Sequence, residues 1–363
     1  MTQGTAARGG GAILTGLDLP HGSPGGSVEL LHDLYLGPEP LIAADVFMLG
    51  DDPGARSPVL LDVPGKQLDG PGFWAYVGDL ADAIRKRFPA GEHGLLHLQH
   101  LAFGATPALL RAFPDLPSVA LVHGTDLLFA MDHPSQEAVL REAVAAAHAI
   151  VVPTAAMAGL LPCDGSRVVH IPWGIPDHLL TAPPERTPYG GEEFRVLYAG
   201  RLTDEKGGAL LEAVAGVEGV RLSVAAPVAE YRALERVTDM SGVRYLGWLT
   251  RPELWRAFAQ QDLLVVPSTR LEAFGLVAVE AQACGLPVLH QPVPGLAEVL
   301  GDSALTFSDR SALPEAVMRL AKDGSALDEL RAAGFRNAAR FPLSRTAREL
   351  RELSDQLLRK AGR

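Results

Sequence analysis

Two acidic residues separated by seven others, Glu272 and Glu280, enclose the stretch of this sequence best suited to hold a charged ligand. The apolar run 263–267 before them reads as a buried strand of a parallel sheet, and 276–283 reads as a helix stopped by Gly285 and Pro287. Glu272 then lies in the loop leaving the strand, and Glu280 lies inside the helix, roughly a turn and a half past its start. At that start the amides of Phe274, Gly275, Leu276 and Val277 have no partner within the helix and carry partial positive charge. Gly275 lets a ligand approach the backbone closely. Such an end, at the carboxyl edge of a parallel sheet, suits a phosphate, and a carboxylate on each side can accept hydrogen bonds from sugar hydroxyls. Taken alone, the pair is equally consistent with two solvated glutamates flanking an ordinary helix.

Three further groups could do chemistry. Arg201 and Lys206 stand five residues apart in Gly200-Arg201-Leu202-Thr203-Asp204-Glu205-Lys206-Gly207, after an apolar strand, and both can reach one anion through charge-assisted hydrogen bonds. The bland alternative is a surface turn with Asp204 capping a helix. Gly25 and Gly26, between a first strand and a first helix, expose amides that can cradle an anion, although a glycine-rich loop is usually only a loop. His123 ends the apolar run 119–122; a lone histidine there is more often structural than catalytic, and Asp126 beside it could orient the ring, contact an acceptor or cap a helix.

The elements that must position these residues alternate between apolar runs and amphipathic stretches, the pattern of doubly wound α/β domains. Strands are predicted at 12–14, 44–48, 95–99, 119–122, 150–152 and 168–171, and helices at 27–36, 73–88, 107–113 and 136–148. Residues 51–71 read as a Gly/Pro/Asp-rich loop interrupted by Val59-Leu60-Leu61, long enough to suggest a part in acceptor binding. Residues 181–191 form a linker by composition. Strands restart at 194–199, 221–225, 243–246, 263–266, 287–289 and 305–307, and 344–360 reads as a long charged amphipathic helix. The domains expected are 1–181, 192–341 and a final segment, 342–363.

A chain of 363 residues with 47% hydrophobic and 21% charged residues has material for two cores. No apolar run reaches bilayer length and no signal-peptide pattern is visible; residues 1–11 read as a Gly/Ala/Thr-rich tail. Cys163 and Cys284 fall in different halves, which implies neither a disulfide framework nor a metal cluster and favours a reduced, cytoplasmic setting. The net charge of −11 argues against nucleic acid and against stable association with anionic membranes. Residues 1–181 carry 9 Lys and Arg against 19 Asp and Glu, and ten of the eleven histidines; the remainder is nearly neutral, with 23 against 24.

Followed by Ala283-Cys284-Gly285-Leu286-Pro287-Val288, the Glu272…Glu280 stretch resembles the signature of the family 4 retaining glycosyltransferases of the GT-B fold, glycosyl transferases group 1. The resemblance implies two Rossmann-like domains facing across a cleft, with the last helix crossing back onto the first. It implies a donor site in which Glu272 holds donor-sugar hydroxyls and Glu280 the ribose. The amides from Phe274 to Val277 would meet sugar and diphosphate, Arg201 and Lys206 would clamp the diphosphate, and Gly25 and Gly26 would approach it from the opposite side. His123 would touch the donor sugar near the reacting carbon, joining Glu272, Arg201 and Lys206 as catalytic candidates. Trp248, in Arg244-Tyr245-Leu246-Gly247-Trp248-Leu249, is a candidate for the base site or for the core. Acceptor contacts are assigned to His100, Asp126 and Trp173. Pro294-Gly295-Leu296-Ala297-Glu298 keeps the family's Gly-x-x-Glu pattern, with Pro294 where a second glycine is common. Ile171-Pro172-Trp173-Gly174-Ile175-Pro176-Asp177 departs further, with Trp173 at a usual Asn position and Pro176 inserted, which would reshape a hinge or the acceptor wall.

The implied reaction transfers a hexosyl or N-acetylhexosaminyl group from a nucleotide diphospho-sugar, with retained configuration and without metal or other cofactor. The acidic first half points to a soluble, cationic acceptor such as an aminocyclitol or amino sugar of antibiotic biosynthesis. The alternatives are a nucleotide-sugar epimerase, a pseudo-glycosyltransferase and a non-catalytic nucleotide-sugar binding protein.

Overall fold

The computed structural model describes residues 12–52, 54–55, 57–187 and 193–362. The tail 1–11 and the 188–191 part of the expected linker lie outside the described residues.

Two all-parallel sheets form two lobes. The first comprises β1 (Ala12–Pro20), β2 (Ala44–Leu49), β3 (Val59–Leu61), β4 (His93–Leu98), β5 (Ser118–Leu121), β6 (Ala149–Val152) and β7 (Val168–His170), in the order β3-β2-β1-β4-β5-β6-β7. The second comprises β8 (Phe194–Ala199), β9 (Val220–Ala225), β10 (Arg244–Gly247), β11 (Leu263–Val266), β12 (Val288–His290) and β13 (Leu305–Thr306), in the order β10-β9-β8-β11-β12-β13. Helices cover both faces, so central strands such as β4, β5, β6 and β11 are buried at every residue and read as apolar runs without alternation. Strand order reverses between β1 and β4, and again between β8 and β11. A crevice outside the carboxyl ends opens at such switch points. The loops after β1, β4, β5, β8 and β11 therefore meet in one place.

Two stretches of the first lobe need more than the sequence pattern. The apolar interruption of the 51–71 loop, Val59–Leu61, is an edge strand, β3, paired in parallel with β2. The helix Thr125–Asp132 escapes the sequence pattern, because its buried stripe is only Asp126, Leu127 and Ala130, too short to display a helical period. The helix Leu276–Ala283 has the bounds the sequence pattern predicts, and Glu280 is its fifth residue.

The part of the expected linker that is described is tied down: Thr187 N donates to Ala259 O (2.9 Å) and Arg186 Nη2 to Gln261 O (2.9 Å).

The helix Leu343–Lys360 crosses back to the first lobe, as the resemblance implied. Its entry is paired with the hinge: Ile175 N donates to Phe341 O and Leu343 N to Ile175 O, both at 2.9 Å. A Cβ on Gly174 would lie 2.5 Å from Leu343 Cα, so only glycine admits this contact. Asp177 accepts from Ser344 N (2.9 Å) and Oγ (2.5 Å). Further along the helix, Ser354 Oγ donates to Leu350 O (2.7 Å) and lies 2.9 Å from His97 Nε2 in β4. With the serine proton so used, His97 Nε2–H donates to Ser354 and Nδ1 accepts from the Tyr35 hydroxyl at 2.7 Å. Burial holds the His97 pKa down at about 3, consistent with a neutral ring.

Candidate active site between the lobes

The segment after β11 is threaded into the opposite lobe. Leu271 and Ala273 join the hydrophobic core of the first lobe, alongside Leu98, Val122 and Leu127. Arg270 pairs with Asp132 (2.7 Å), and Thr154 Oγ1 donates to Ala273 O (3.1 Å). With its two neighbours facing the first lobe, Glu272 turns back toward the second. Its carboxylate, 19% exposed, accepts from Lys206 Nζ at 2.5 Å and from Ser268 Oγ at 3.2 Å.

Gly275 caps the following helix in the left-handed region, φ 81°, and a Cβ there would lie 2.4 Å from Leu296 Cδ1. The first amides bonded to a helical carbonyl are those of Ala278 and Val279, both to Gly275 O, so the amides of Leu276 and Val277 precede the ladder. Phe274 is buried edge-on against Phe341, with ring centroids 5.1 Å apart. Across the crevice stands the start of the helix Gly26–Tyr35: a Cβ on Gly26 would sit 3.7 Å from Leu276 Cδ1, and one on Gly25 would meet nothing within 4 Å. Two helix N-termini, one from each lobe, thus face a common space.

Glu280 is engaged by residues that local sequence does not connect to it. Trp255 Nε1 donates to it at 3.0 Å, and Arg251 bridges it to Asp33 on the first lobe's opening helix. Burial alone would depress the Arg251 pKa, and the two carboxylates more than offset it, raising it further. Glu29, one turn before Asp33, is shifted upward by burial, against the pull of Arg251. One signal was legible: Thr250 and Glu253 form a capping box (2.9 and 2.7 Å) that starts the helix Arg251–Ala259. Nothing local marks Asp33.

Arg201 and Lys206 hold different carboxylates. Arg201 Nε pairs with Glu230 (2.8 Å), which also accepts from Leu202 N (2.7 Å), and does not share an anion with Lys206. Trp248 follows β10 and is 43% exposed, which excludes the core tryptophan reading. Glu298 accepts from Ala155 N (2.9 Å) and Ala156 N (3.1 Å), tying the second lobe to a helix start on the first.

On the first lobe, His123 Nε2 lies 3.2 Å from Gln99 Oε1. Its ring stacks on Trp173 (centroids 5.6 Å, 23°) and packs on His100 (4.8 Å). Burial, then the neighbouring His100, holds the His123 pKa well below its usual value. His100, Asp126 and Trp173 are all buried, so the acceptor contacts expected of them need correction: they support the cleft wall from behind. Asp126 accepts from Leu101 N (2.9 Å), and burial lifts its pKa to about 6. Lys66, from the long loop, pairs with Asp18 of β1 at 3.1 Å.

Among the described residues no group of three His, Cys, Asp or Glu side chains could hold a metal ion, and no helix is long and apolar enough to cross a membrane.

Two parallel-sheet lobes facing across a crevice, joined by a returning C-terminal helix, define a protein of the GT-B architecture. Residues 193–323 match the family model described as glycosyl transferases group 1. A D-inositol 3-phosphate glycosyltransferase 1 from Catenulispora acidiphila is 30% identical over 291 residues, 69% of this chain and 69% of that protein. A D-inositol 3-phosphate glycosyltransferase from Mycobacterium marinum is 40% identical over 121 residues, but the match spans only 31% of this chain and 26% of that protein. Among solved structures, sucrose-phosphate synthase from Thermosynechococcus elongatus superposes with a TM-score of 0.80 at 19% identity, covering 96% of this chain and all of that one (100%). Anabaena HepE in complex with UDP-glucose gives 0.73 at 18% identity, covering 95% and 99%. The chain belongs to the glycosyl transferases group 1 family.

Proposed function

We propose that this protein transfers a hexosyl or N-acetylhexosaminyl group from a nucleotide diphospho-sugar, of the UDP type, to a hydroxyl of a soluble small molecule in the cytoplasm. Anomeric configuration is retained and no metal takes part. The observation that carries this reading is the opposition of Gly26 and Leu276 across the crevice, with the Lys206–Glu272 pair on the same strand edge. The diphosphate lies between the two helix starts, where amides and the Lys206 ammonium oppose the charge that develops on the leaving group. Glu272 accepts from donor-sugar hydroxyls once Lys206 turns to phosphate, and Glu280 accepts from the ribose. The departing phosphate oxygen takes the proton of the incoming hydroxyl on the same face of the sugar. The UDP-glucose of the HepE complex, a protein of the same architecture, supports the choice of nucleotide.

The acceptor is a polyol ring, in keeping with the inositol phosphate named for the relatives. The acidic first half favours a cationic member of that class, an aminocyclitol or amino sugar of antibiotic biosynthesis. The test is mass-spectrometric screening of UDP-, GDP- and ADP-sugars with inositol, inositol phosphate and aminocyclitols, with and without chelator, and NMR of the product anomer. Consumption of UDP-sugar without acceptor would indicate an epimerase, and thermal stabilisation by UDP without turnover a binding protein.

A further inference from the structure

Gln99 is buried directly after β4, and its hydrogen bonds leave no freedom in its orientation. Thr15 Oγ1 donates its single proton to the carbonyl of His97 (2.8 Å), a group that only accepts. Thr15 Oγ1 is therefore an acceptor toward the Gln99 amide 2.9 Å away, which places Nε2 of Gln99 on that side and Oε1 on the other. Oε1 faces His123 Nε2 at 3.2 Å, and an amide oxygen only accepts. The proton of the neutral imidazole must then sit on Nε2, leaving Nδ1 as a lone pair. Nδ1 has no partner among the described residues, and it is not one of the fully buried unpaired atoms, so it is not sealed from solvent. Trp173 and His100 pack against the ring and fix its plane.

We propose that Gln99 is a positioning residue that sets His123 in the Nε2–H tautomer, so that the substrate group meeting Nδ1 must be a hydrogen-bond donor. The first half of this stands on the hydrogen bonds alone. The second rests on the glycosyl-transfer reading and gives it a substrate rule: the group opposite His123 is a hydroxyl, and an analogue with fluorine or a methoxy group there is rejected, because two acceptors then face each other.

The experiment is two-bond proton–nitrogen NMR of the ligand-free full chain labelled with [15N]histidine, with His123 assigned by loss of its signals in His123→Gln. The expected result is Nε2 in the protonated range and Nδ1 in the unprotonated range. A protonated Nδ1 of His123 in the wild-type chain overturns the proposal whether or not the Gln99 variant folds. In Gln99→Leu the tautomer preference weakens and kcat/KM falls about tenfold, the worth of one hydrogen bond. Unchanged His123 signals in folded Gln99→Leu would also overturn it. The expected tautomer with no turnover of any donor–acceptor pair would leave Gln99 its role and remove the glycosyl-transfer reading instead.

Discussion

Gly124, at the carboxyl end of the first sheet, lies so close to Ala273 of the opposite lobe that a Cβ on the glycine would fall 2.7 Å from that of the alanine. Gly124 also holds φ 92°, a conformation other residues adopt at a cost of roughly 1–3 kcal/mol. This contact seats the loop that presents Glu272 and sits one residue from His123. Gly124→Ala is expected to lower stability by more than that amount, because the clash adds to the backbone cost, and to abolish transfer. Adding Ala273→Gly should recover the steric part and leave the backbone part. Equal melting temperatures for wild type and Gly124→Ala would contradict the contact.

Lys206 and Glu272 are partly exposed, so their pairing contributes little to stability, roughly 0–1 kcal/mol. Lys206→Met and Glu272→Gln are therefore expected to melt close to wild type. Their kcat/KM should fall by roughly 100- to 1000-fold if the ammonium and carboxylate act on the transition state. Steady-state turnover beside thermal shift checks this, and full activity in Lys206→Met would remove the ammonium from the reaction.

Arg251 is 12% exposed between Asp33 and Glu280 and joins the lobes by charge. Arg251→Met strands both carboxylates, an expected loss of roughly 3–5 kcal/mol in urea denaturation. The double variant Arg251→Met with Glu280→Gln should regain part of it, because one stranded charge is gone. A purely additive result would show that the two side chains do not interact.

Asp126 has its pKa raised to about 6 by burial, from 3.8. A raised folded-state value means stability fully present below pH 3.8 and lost as pH rises through about 6, since the unfolded state ionises first. The predicted contribution is roughly 3 kcal/mol across that window. Asp126→Asn keeps an acceptor for Leu101 N and cannot ionise, so its stability should fall less than that of wild type between pH 4 and 6. Parallel stability curves for the two proteins over this range would refute the assignment.

Ser354 is the anchor of the C-terminal helix on β4 through His97. Ser354→Ala leaves a buried Nε2–H without a partner, with an expected loss of roughly 1–3 kcal/mol. Hydrogen exchange should show the helix Leu343–Lys360 opening more readily while the second lobe is unaffected.

The sequence by itself determined the alternation of strands and helices, the carboxyl-edge loops and the existence of a long last helix, whose return to the first lobe was implied by the family resemblance. Those properties are local: an apolar run of four to six residues, a glycine at a helix start or a charged amphipathic stretch expresses its preference without help from distant chain. The Glu272…Glu280 stretch was legible for the same reason, since one strand, one loop and one helix place it.

Only the tertiary structure decided which groups those residues meet. Arg251 reaches Asp33 across 218 positions and His97 reaches Ser354 across 257, and no window of sequence relates such partners. It separated Arg201 from Lys206, giving each its own carboxylate, and drew His100, Asp126 and Trp173 behind the wall they were expected to face. Side-chain chemistry is carried by the residue, but its orientation and protonation are set by burial and by partners that only the closed packing of two lobes brings within hydrogen-bond range.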